Sequence, residues 1–389
     1  MNQGRQIAIF LPTLCIGGAE RVSIYLANAF VSRGLDVELV LMQAEGELLP
    51  LLDPRVRVVD LGAARMRNLA RPLARYLCEH RPAAVLANMW PLTIMAVAVA
   101  CAVRAKARVV VVEHNNWSAQ SKHEGFVLRQ FRKLSMRLLL PFASARVGVS
   151  KGVAQDLETY AALAEGSVQC VYNPVTGSPR KQQPIQSSPD TDCWRAGKRL
   201  LSVGVLQTQK RFDWLLTAFS QVAAENPEAR LLILGDGPER ASLESMVSRL
   251  GLQGRVFLPG FVDGPAAYYA EADLFVLSSE YEGLSMVLVE ALEQGTPVVS
   301  MDCPSGPREV LEDGRHGALV PVGDVDALAS AMQEALGAHH DHEALKRRAQ
   351  DFSVDKAADA YLDLLLPGWR ALAAAEVPAV SQSQPMSPQ

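Results

Sequence analysis

Two glutamates, Glu282 and Glu290, stand eight positions apart and have the chemistry to bind vicinal hydroxyls such as those of a sugar. The segment that joins them, Glu282-Gly-Leu-Ser-Met-Val-Leu-Val-Glu290, leads from a predicted strand end into a predicted helix. A carboxylate has two oxygens that accept hydrogen bonds side by side. Glu290 follows Val and Leu, where an acid without a partner is costly. We therefore interpret Glu290 as a binding residue rather than a solvated surface acid.

The residues after Glu282 are expected to begin that helix and to expose backbone N–H groups. Gly283 permits a tight turn, and Ser285 is the predicted N-cap. The first amides of a helix have no partner inside it and lie at the positive end of its dipole. This helix start is therefore a predicted anion site, suited to a diphosphate.

Two further loops carry candidate binding residues. In Ser202-Val-Gly-Val-Leu-Gln-Thr-Gln-Lys210-Arg211 a strand ends at Gly204, and two cations follow that could neutralise phosphates. Gly235-Asp-Gly-Pro comes directly after another strand, where glycine permits close approach of a nucleotide. A lysine after a loop is more often solvated, and Gly-Asp-Gly-Pro is equally typical of an ordinary turn.

The first half of the chain contributes two more strand-end loops. Cys15-Ile-Gly17-Gly18-Ala-Glu20 is rich in glycine but lacks the Gly-x-Gly-x-x-Gly pattern, which argues against a dinucleotide site. Glu113-His114-Asn-Asn closes another strand. His114 is either a structural histidine or a functional one, and its position at a strand end favours function.

Short apolar runs alternate with helical patterns along the whole chain. Their Val, Ile and Leu content without polar alternation is typical of strands buried on both faces of a parallel sheet. The predicted strands are 7–11, 37–42, 56–61, 84–88, 109–113, 145–149, 200–203, 231–234, 256–258, 274–277, 297–300 and 318–320. This alternation predicts an α/β fold with two Rossmann-like domains and a ligand cleft between them.

Composition suggests where the domains divide. We predict a first domain over residues 1–174, a Pro- and Gln-rich linker over 175–198 and a second domain over 199–352. A helix over 353–370 is expected to cross back to the first domain. The Pro/Ser/Gln tail over 371–389 is expected to be disordered.

Charge is unevenly distributed between the two halves. Residues 1–150 hold 19 Lys and Arg against 10 Asp and Glu, whereas the whole chain has a net charge of −4. A basic first half favours an anionic partner, and without a base-reading motif a membrane surface or phosphate-bearing acceptor fits better than nucleic acid. Basic and large apolar residues alternate over 126–142, typical either of a peripheral membrane contact or of a solvated face above a buried stripe.

Scattered cysteines and the absence of a long apolar run indicate a cytoplasmic protein. The six cysteines show no C-x-x-C spacing, which favours reduced thiols over disulfides or zinc. The apolar run over 91–103 is shorter than the roughly 20 residues that span a bilayer, and we expect no signal peptide. The predicted location is cytoplasmic, peripheral on the inner face of the plasma membrane.

Taken together, these motifs resemble the retaining glycosyltransferases of family 4, which have the GT-B fold. The resemblance spans about residues 7–370 and is most specific from Glu282 to Glu309, with further matches at Gly17-Gly-Ala-Glu-Arg21, Asn173-Pro-Val and Gly235-Asp-Gly-Pro. It is strongest to bacterial members that use UDP-sugars to extend lipid-linked glycans or lipopolysaccharide. It implies two Rossmann-like domains whose parallel sheets face each other across a cleft.

The resemblance also implies roles for the residues named above. Glu290 would bind the nucleotide ribose, Glu282 the hydroxyls of the donor sugar, and Lys210 the diphosphate. Backbone amides of the helix start would hold the diphosphate and sugar, at Gly283, Leu284 and Ser285. Gly17 and Gly18 would line the opposite wall, with His114 near the donor sugar. Val205 replaces the arginine usual in the family, and Arg211 is the candidate to compensate.

We expect front-face substitution with retention and no metal or other cofactor besides the nucleotide-sugar co-substrate. Lys210 and the helix start would stabilise the leaving diphosphate, which would accept the acceptor proton. Asp324-Val-Asp326 and Asp190-Thr-Asp192 have the D-x-D spacing of metal-dependent transferases, but we interpret the first as a helix cap and the second as linker.

Two other functions are compatible with the sequence. A sugar-nucleotide epimerase or hydrolase would use the same site without an acceptor, and products formed from UDP-sugar alone would distinguish it. A non-catalytic nucleotide- or lipid-binding scaffold would bind UDP without turnover. The sugar, the acceptor, the linkage position and the oligomeric state leave no motif in the sequence.

Overall fold

The computed structural model describes residues 5–15, 17–177 and 184–374. Within these residues the strands form two entirely parallel sheets, one of seven strands and one of six. Parallel sheets have helices on both faces, which explains why the strands are near-continuous runs of Val, Ile and Leu. The prediction of two Rossmann-like α/β domains is confirmed.

The first sheet has the strand order β3-β2-β1-β4-β5-β6-β7. Its strands are β1 Gln6–Leu11, β2 Asp36–Leu41, β3 Arg57–Asp60, β4 Ala84–Asn88, β5 Arg108–Glu113, β6 Ala145–Gly148 and β7 Gln169–Cys170. The helices of this domain are α1 Gly18–Ser32, α2 Ala70–His80, α3 Leu92–Ala102, α4 Trp117–Gln120, α5 Phe126–Leu139 and α6 Lys151–Ala161. The order reverses between β1 and β4, so the loops after these strands diverge and leave a crevice.

The second sheet has the strand order β10-β9-β8-β11-β12-β13. Its domain contains, in chain order, α7 Pro189–Arg195, β8 Lys198–Val203, α8 Phe212–Glu225, β9 Ala229–Leu234, α9 Arg240–Arg249, β10 Val256–Gly260, α10 Ala266–Glu271, β11 Leu274–Leu277, α11 Met286–Gln294, β12 Val298–Met301, α12 Pro307–Val310, β13 Ala318–Val320, α13 Val325–Gly337 and α14 His342–Ala349. Here the order reverses between β8 and β11, the two strands that precede Lys210 and Glu282.

Helix α15, Val354–Leu365, belongs to the last part of the chain but packs against α1 of the first domain. Arg33 of α1 binds the carboxylates of Asp355 and Asp359 at 2.9 Å and 3.0 Å. The chain therefore passes between the domains twice. The two passages run side by side, since Thr176 pairs with Ser353 in a parallel bridge.

The segment predicted as a linker contains helix α7. Ser188 and Thr191 form a capping box with Pro189 at the first helical position, and Trp194 is fully buried with its Nε1 donating to the carbonyl of Leu200 at 2.9 Å. One buried tryptophan ties this helix to the second sheet despite the polar composition around it. The linker prediction over 175–198 is therefore wrong for 189–195.

The predicted tail also begins too early, because α16 spans Trp369–Ala374. The indole of Trp369 is buried, and its Nε1 donates to Asp363 at 2.9 Å, which extends the ordered chain beyond α15. The rest of the predicted tail lies outside the described residues.

Candidate active site

An ion pair between Lys210 and Glu282 joins the two loops at the strand-order reversal of the second sheet. Lys210 Nζ lies 2.6 Å from Glu282 Oε1, and the Ser279 hydroxyl donates to the same oxygen at 2.7 Å. Both side chains are largely shielded from solvent. Neither bond uses Oε2 of Glu282, and an ammonium has three donors, so the pair retains capacity for a ligand.

Helix α11 begins at Met286, four residues after Glu282, and the backbone amides between them are unpaired in the described chain. No acceptor among residues 5–15, 17–177 and 184–374 is bonded to the amides of Gly283, Leu284 or Ser285. Leu284 and Ser285 are nevertheless buried. Unpaired buried amides are rare in folded proteins, and at a helix start they form a site for an anion.

The prediction that Ser285 caps α11 is wrong for its side chain. Ser285 occupies the N-cap position, but it has a left-handed backbone, φ 65° and ψ 65°, and its hydroxyl makes no cap bond. Within the described chain the buried Ser285 Oγ has no hydrogen-bond partner. Non-glycine residues rarely adopt this conformation, which here leaves an amide and a hydroxyl without protein partners at the same position.

Glu290 lies within α11 and borders the gap between the domains. Its Oε2 accepts a hydrogen bond from the Tyr269 hydroxyl at 3.0 Å. Together with Arg21, Tyr25 and Asn28 of α1, Glu290 lines a small cavity between the two domains. The acid predicted as a binding residue is thus partnered, partly accessible and directed at a void rather than at bulk solvent.

The other loop residues of the second domain divide into two groups. Gly204 and Gly235 are in contact, because a Cβ at Gly235 would overlap the carbonyl of Gly204, so this crossing of loops requires glycine. Arg211 instead binds Asp213 at 2.7 Å and stacks 3.8 Å above the Trp214 ring. Its guanidinium is therefore engaged on helix α8. Val205, where the family usually has arginine, is exposed.

His114 lies on the opposite wall, in the first domain. Its Nε2 is 3.1 Å from Oδ1 of the buried Asn88, which fixes the ring with the proton on Nε2. Burial lowers the pKa of His114 to about 4. The imidazole is therefore neutral near pH 7, and with its one proton donated to Asn88 it offers Nδ1 as a hydrogen-bond acceptor.

Glu113, the neighbour of His114, is fully buried beneath the cleft. The hydroxyl of Thr93 donates to its Oε1 at 2.7 Å, and the amide of Trp90 donates to Oε2 at 3.3 Å. Burial, only partly offset by these bonds, raises the pKa of Glu113 to about 7. The end of β5, which precedes His114, is thus anchored by Glu113, whose ionised form is destabilised by burial.

Gly283 is in contact with the first domain. A Cβ at Gly283 would overlap the carbonyl oxygen of His114, and the Ser150 hydroxyl donates to the carbonyl of Gly283 at 2.8 Å. Nearby, Asn116 Nδ2 donates to Ser305 Oγ at 2.9 Å. The structure therefore brings His114 together with the Glu282 loop, and glycine is required there because two backbones meet.

Gly17 and Gly18 line the same gap from the first domain. A Cβ at Gly18 would lie 3.7 Å from Met286 Sδ at the start of α11, and one at Gly17 would overlap the carboxylate of Glu20. Burial raises the pKa of Glu20. The glycine loop thus faces the helix that carries the unpaired amides.

Several residues near these groups carry no local sequence signal. Asn88, Ser150 and Glu309 act through partners far away in the chain, whereas Ser279 bonds Glu282 three residues further on. Cys303 is buried close enough to Glu282 that burial and this carboxylate raise its thiol pKa well above the ordinary value. Two of these residues, Cys303 and Glu309, lie in the segment Asp-Cys-Pro-Ser-Gly-Pro-Arg-Glu309, which is part of the family resemblance.

Within the described residues no group of three or more His, Cys, Asp and Glu side chains is arranged to hold a metal ion. Asp324 accepts a bond from the Ala327 amide at 2.9 Å, which confirms its interpretation as a helix cap. In the same part of the chain, no helix has the length and apolar character needed to cross a membrane.

Comparison with known families matches both halves of the chain. Residues 16–176 match the model of glycosyltransferase family 4, and residues 197–338 match that of glycosyl transferases group 1. A lipopolysaccharide core biosynthesis glycosyltransferase of Rhizobium meliloti is 34% identical over 43% of this chain, but the match spans only about half of that relative, 49%. An amylovoran biosynthesis glycosyltransferase of Erwinia amylovora is 25% identical over 91% of this chain and 95% of its own length.

A third relative also matches over most of both chains, and its name includes a diphospho-undecaprenol saccharide. The N-acetylgalactosamine-N,N'-diacetylbacillosaminyl-diphospho-undecaprenol 4-alpha-N-acetylgalactosaminyltransferase of Campylobacter jejuni is 26% identical over 89% of this chain and 94% of its own. Among solved structures, an Anabaena protein in complex with UDP superposes with a TM-score of 0.75 at 20% identity, covering 93% of this chain and 99% of that one. This likeness confirms the GT-B fold.

Proposed function

We propose a reaction from one premise, that the chain belongs to the glycosyltransferases and joins a family 4 domain to a group 1 domain. The reaction is transfer of a hexose or N-acetylhexosamine from a UDP-sugar, with retention of anomeric configuration. The acceptor is a lipid-linked glycan or a lipopolysaccharide-type glycan of cell-surface polysaccharide synthesis.

One observation carries the donor half of this proposal: the Lys210–Glu282 ion pair is followed directly in the chain by the unpaired amides that lead into α11. A diphosphate is the ligand that uses a lysine ammonium and helix-start amides together. Oε2 of Glu282 is then available to the hydroxyls of the sugar next to it. Glu290, partnered by Tyr269 and open to a cavity, is suited to the ribose hydroxyls.

The proposed chemistry needs no protein nucleophile. The bond between the anomeric carbon and the diphosphate oxygen breaks, and the acceptor oxygen forms its bond to the same face of that carbon. The acceptor proton passes to the departing diphosphate. Lys210 and the α11 amides stabilise the charge that develops there. These protein cations and dipoles are our reason to propose a metal-independent reaction.

His114 has a positioning function in this scheme. Because its pKa is lowered to about 4, the ring is neutral in the working range and does not protonate the leaving group. Its contact with the Glu282 loop brings a hydrogen-bonding ring to the sugar side of the cleft. Asn88 holds the ring in that orientation.

The acceptor half rests on the relatives and on charge. The Rhizobium and Campylobacter relatives are named for lipopolysaccharide core and diphospho-undecaprenol acceptors. The excess of Lys and Arg in the first half of this chain suits an acceptor or surface that bears phosphate. The proposed location is the cytoplasmic side of the plasma membrane.

The test is transfer by the purified chain from a panel of UDP-sugars to lipid-linked saccharides, with the product anomer assigned by NMR. We expect Lys210→Ala to lower kcat by about 100-fold or more, as for loss of one charge stabiliser. Glu290→Gln should chiefly raise the donor KM. Glu343→Gln, at an exposed ion pair with Lys346, is the control and should leave both unchanged.

Three results would contradict the proposal. Folded Lys210→Ala and Glu282→Ala variants with full transfer activity would remove the assigned site. Turnover of UDP-sugar without an acceptor as the main reaction would favour a hydrolase or epimerase. Binding of UDP with no turnover on any acceptor would favour a scaffold.

A further inference from the structure

Helix α5 presents a row of large apolar side chains to solvent. Four of them, exposed by 57 to 81%, are Val127, Phe131, Leu134 and Leu138. Their spacing of four, three and four residues aligns them on one face of the helix. On the opposite face, Arg132 and Met136 are buried in the domain. The row, which we call the apolar ridge, therefore points directly away from the core.

Charge borders the apolar ridge on one side. The exposed Arg137 lies on the flank next to it, Lys133 on the same flank has its ammonium 4.9 Å from the Tyr160 ring, and Phe126–Leu139 contains no acidic residue. Single exposed apolar residues are ordinary on protein surfaces, but a continuous row with a cationic border is not. This arrangement is the one that lets a helix lie in the interface of a bilayer.

Helix α2 adds a row of arginines to the same face of the domain. Arg71 and Arg75 of α2, with Arg67 in the turn just before the helix, follow at intervals of four residues and are exposed. Helix α3 packs between α2 and α5, and residues of all three contribute to one apolar core on this face of the sheet. The cations and the apolar ridge are therefore on one side of the molecule.

Arg132, which the sequence places among the surface cations, is not part of this charge. It is 1% exposed, pairs with Glu124, and lies over the rings of Trp117 and Tyr160. This buried cation holds α5 against α4 and α6. The helix is thus rigidly attached through one face, and its apolar ridge is left outside.

We infer that this side of the first domain docks onto an anionic lipid bilayer, with the apolar ridge at the acyl boundary and the arginines of α2 against the headgroups. A second copy of the chain is a weaker candidate, because pairing two such faces would bring cations of like charge together. Anionic headgroups complement that charge. The inference rests on the proposed function only for the identity of the acceptor that the membrane would hold.

The docking face is continuous with the candidate active site. His123, three residues before α5, has Nε2 3.3 Å from Glu280 Oε1, and its ring stacks on Tyr281 at 6.1 Å. Tyr281 is adjacent to Glu282. A membrane-anchored acceptor entering beside α5 would therefore arrive next to the residues assigned to the donor sugar.

The test is sedimentation of the full chain with vesicles of phosphatidylcholine alone or with phosphatidylglycerol added. We expect binding to the anionic vesicles that weakens with salt. Substituting Phe131, Leu134 and Leu138 by Ser together should lower the partition coefficient at least about tenfold. The control is Val58→Ser with Val322→Ser, two exposed apolar residues in other parts of the chain.

Equal vesicle binding by the ridge variant and the native chain would overturn the inference. So would self-association that the ridge variant abolishes without any vesicle binding, since a second copy would then be the occupant. UDP binding by the ridge variant, measured by calorimetry, should equal that of the native chain. Lost vesicle binding with retained UDP binding supports the docking face, whether or not sugar transfer is found.

Discussion

Glu309 of the second domain caps a helix of the first domain through the amide of Gly152. Its Oε1 accepts from Gly152 N at 2.7 Å, and its Oε2 accepts from Lys151 N at 2.8 Å, at the first turn of α6. A carboxylate is favourable there because the helix dipole is positive at its N-terminus. The two domains are thus joined by a charged cap as well as by packing.

Removing the charge of Glu309 should weaken this junction. In Glu309→Gln one acceptor oxygen becomes a donor that faces an amide, at a cost of about 1–2 kcal/mol to the closed arrangement. We expect kcat/KM to fall about tenfold and the radius of gyration from solution scattering to rise. Unchanged kinetics and scattering would mean that the cap does not contribute to closure. Glu343→Gln is the matched control.

A methyl group at Gly283 should obstruct closure directly. Because it would overlap the His114 carbonyl, Gly283→Ala separates the Glu282 loop from the opposite wall. We expect a loss of transfer activity of about 100-fold, as for misplaced reacting groups, with little change in the thermal unfolding of the chain. Gly337→Ala, which has nothing within 4 Å of the added carbon, should be silent in both measurements. Full activity of Gly283→Ala would show that the His114–Gly283 contact is dispensable.

The buried acid Glu113 should make stability depend on pH. Its pKa is raised to about 7 in the folded chain, so between about pH 4.5 and 7 the folded state binds more protons than the unfolded state. The stability it contributes is therefore present below pH 4.5 and lost as pH rises through 7, by roughly 3 kcal/mol. The free energy of unfolding can be measured with urea for the native chain and for Glu113→Gln at several pH values. As the pH rises from below 4.5 to above 7, the native chain should lose about this amount of stability relative to the Gln variant. A difference independent of pH would contradict it.

Arg132 should be essential for attachment of α5. It pairs with Glu124, donates to the hydroxyl of Tyr160 at 3.1 Å and stacks on aromatic rings, so Arg132→Met should cost about 3 kcal/mol of unfolding free energy. Arg132→Lys keeps the charge but loses the planar stacking, and an intermediate loss is expected. Denaturant unfolding measures both. Equal stability of the Lys and native chains would mean that charge alone holds the helix.

The strands and the fold class could be predicted from the sequence because parallel strands carry their own composition. Nearly every apolar run over 7–320 corresponds to a strand within one or two residues. Two elements are not predicted from the sequence, each for a physical reason. Strand β7 is two residues long and shows no pattern, and α7 is hidden in polar sequence, although Ser188-Pro189 with Thr191 is a local signal of a helix start.

The site residues divide in the same way. Glu282, Lys210 and the start of α11 could be found because each follows a strand at the edge where ligands bind. The contacts between the domains could not, since Ser150 meets Gly283 at a sequence separation of 133 residues and Glu309 meets Gly152 at 157. Ser285 was assigned a cap by residue type, but its left-handed backbone directs the hydroxyl elsewhere.

The side-by-side crossings at Thr176 and Ser353 restrict how the two domains can move relative to each other. Because the two chain crossings lie side by side, they act as one hinge line about which one domain can rotate. A sliding motion along the cleft would instead stretch both crossings. A change in the width of the cleft is then a rotation of one domain about this line. Under the proposed function, donor exchange and acceptor entry would both depend on this one angle.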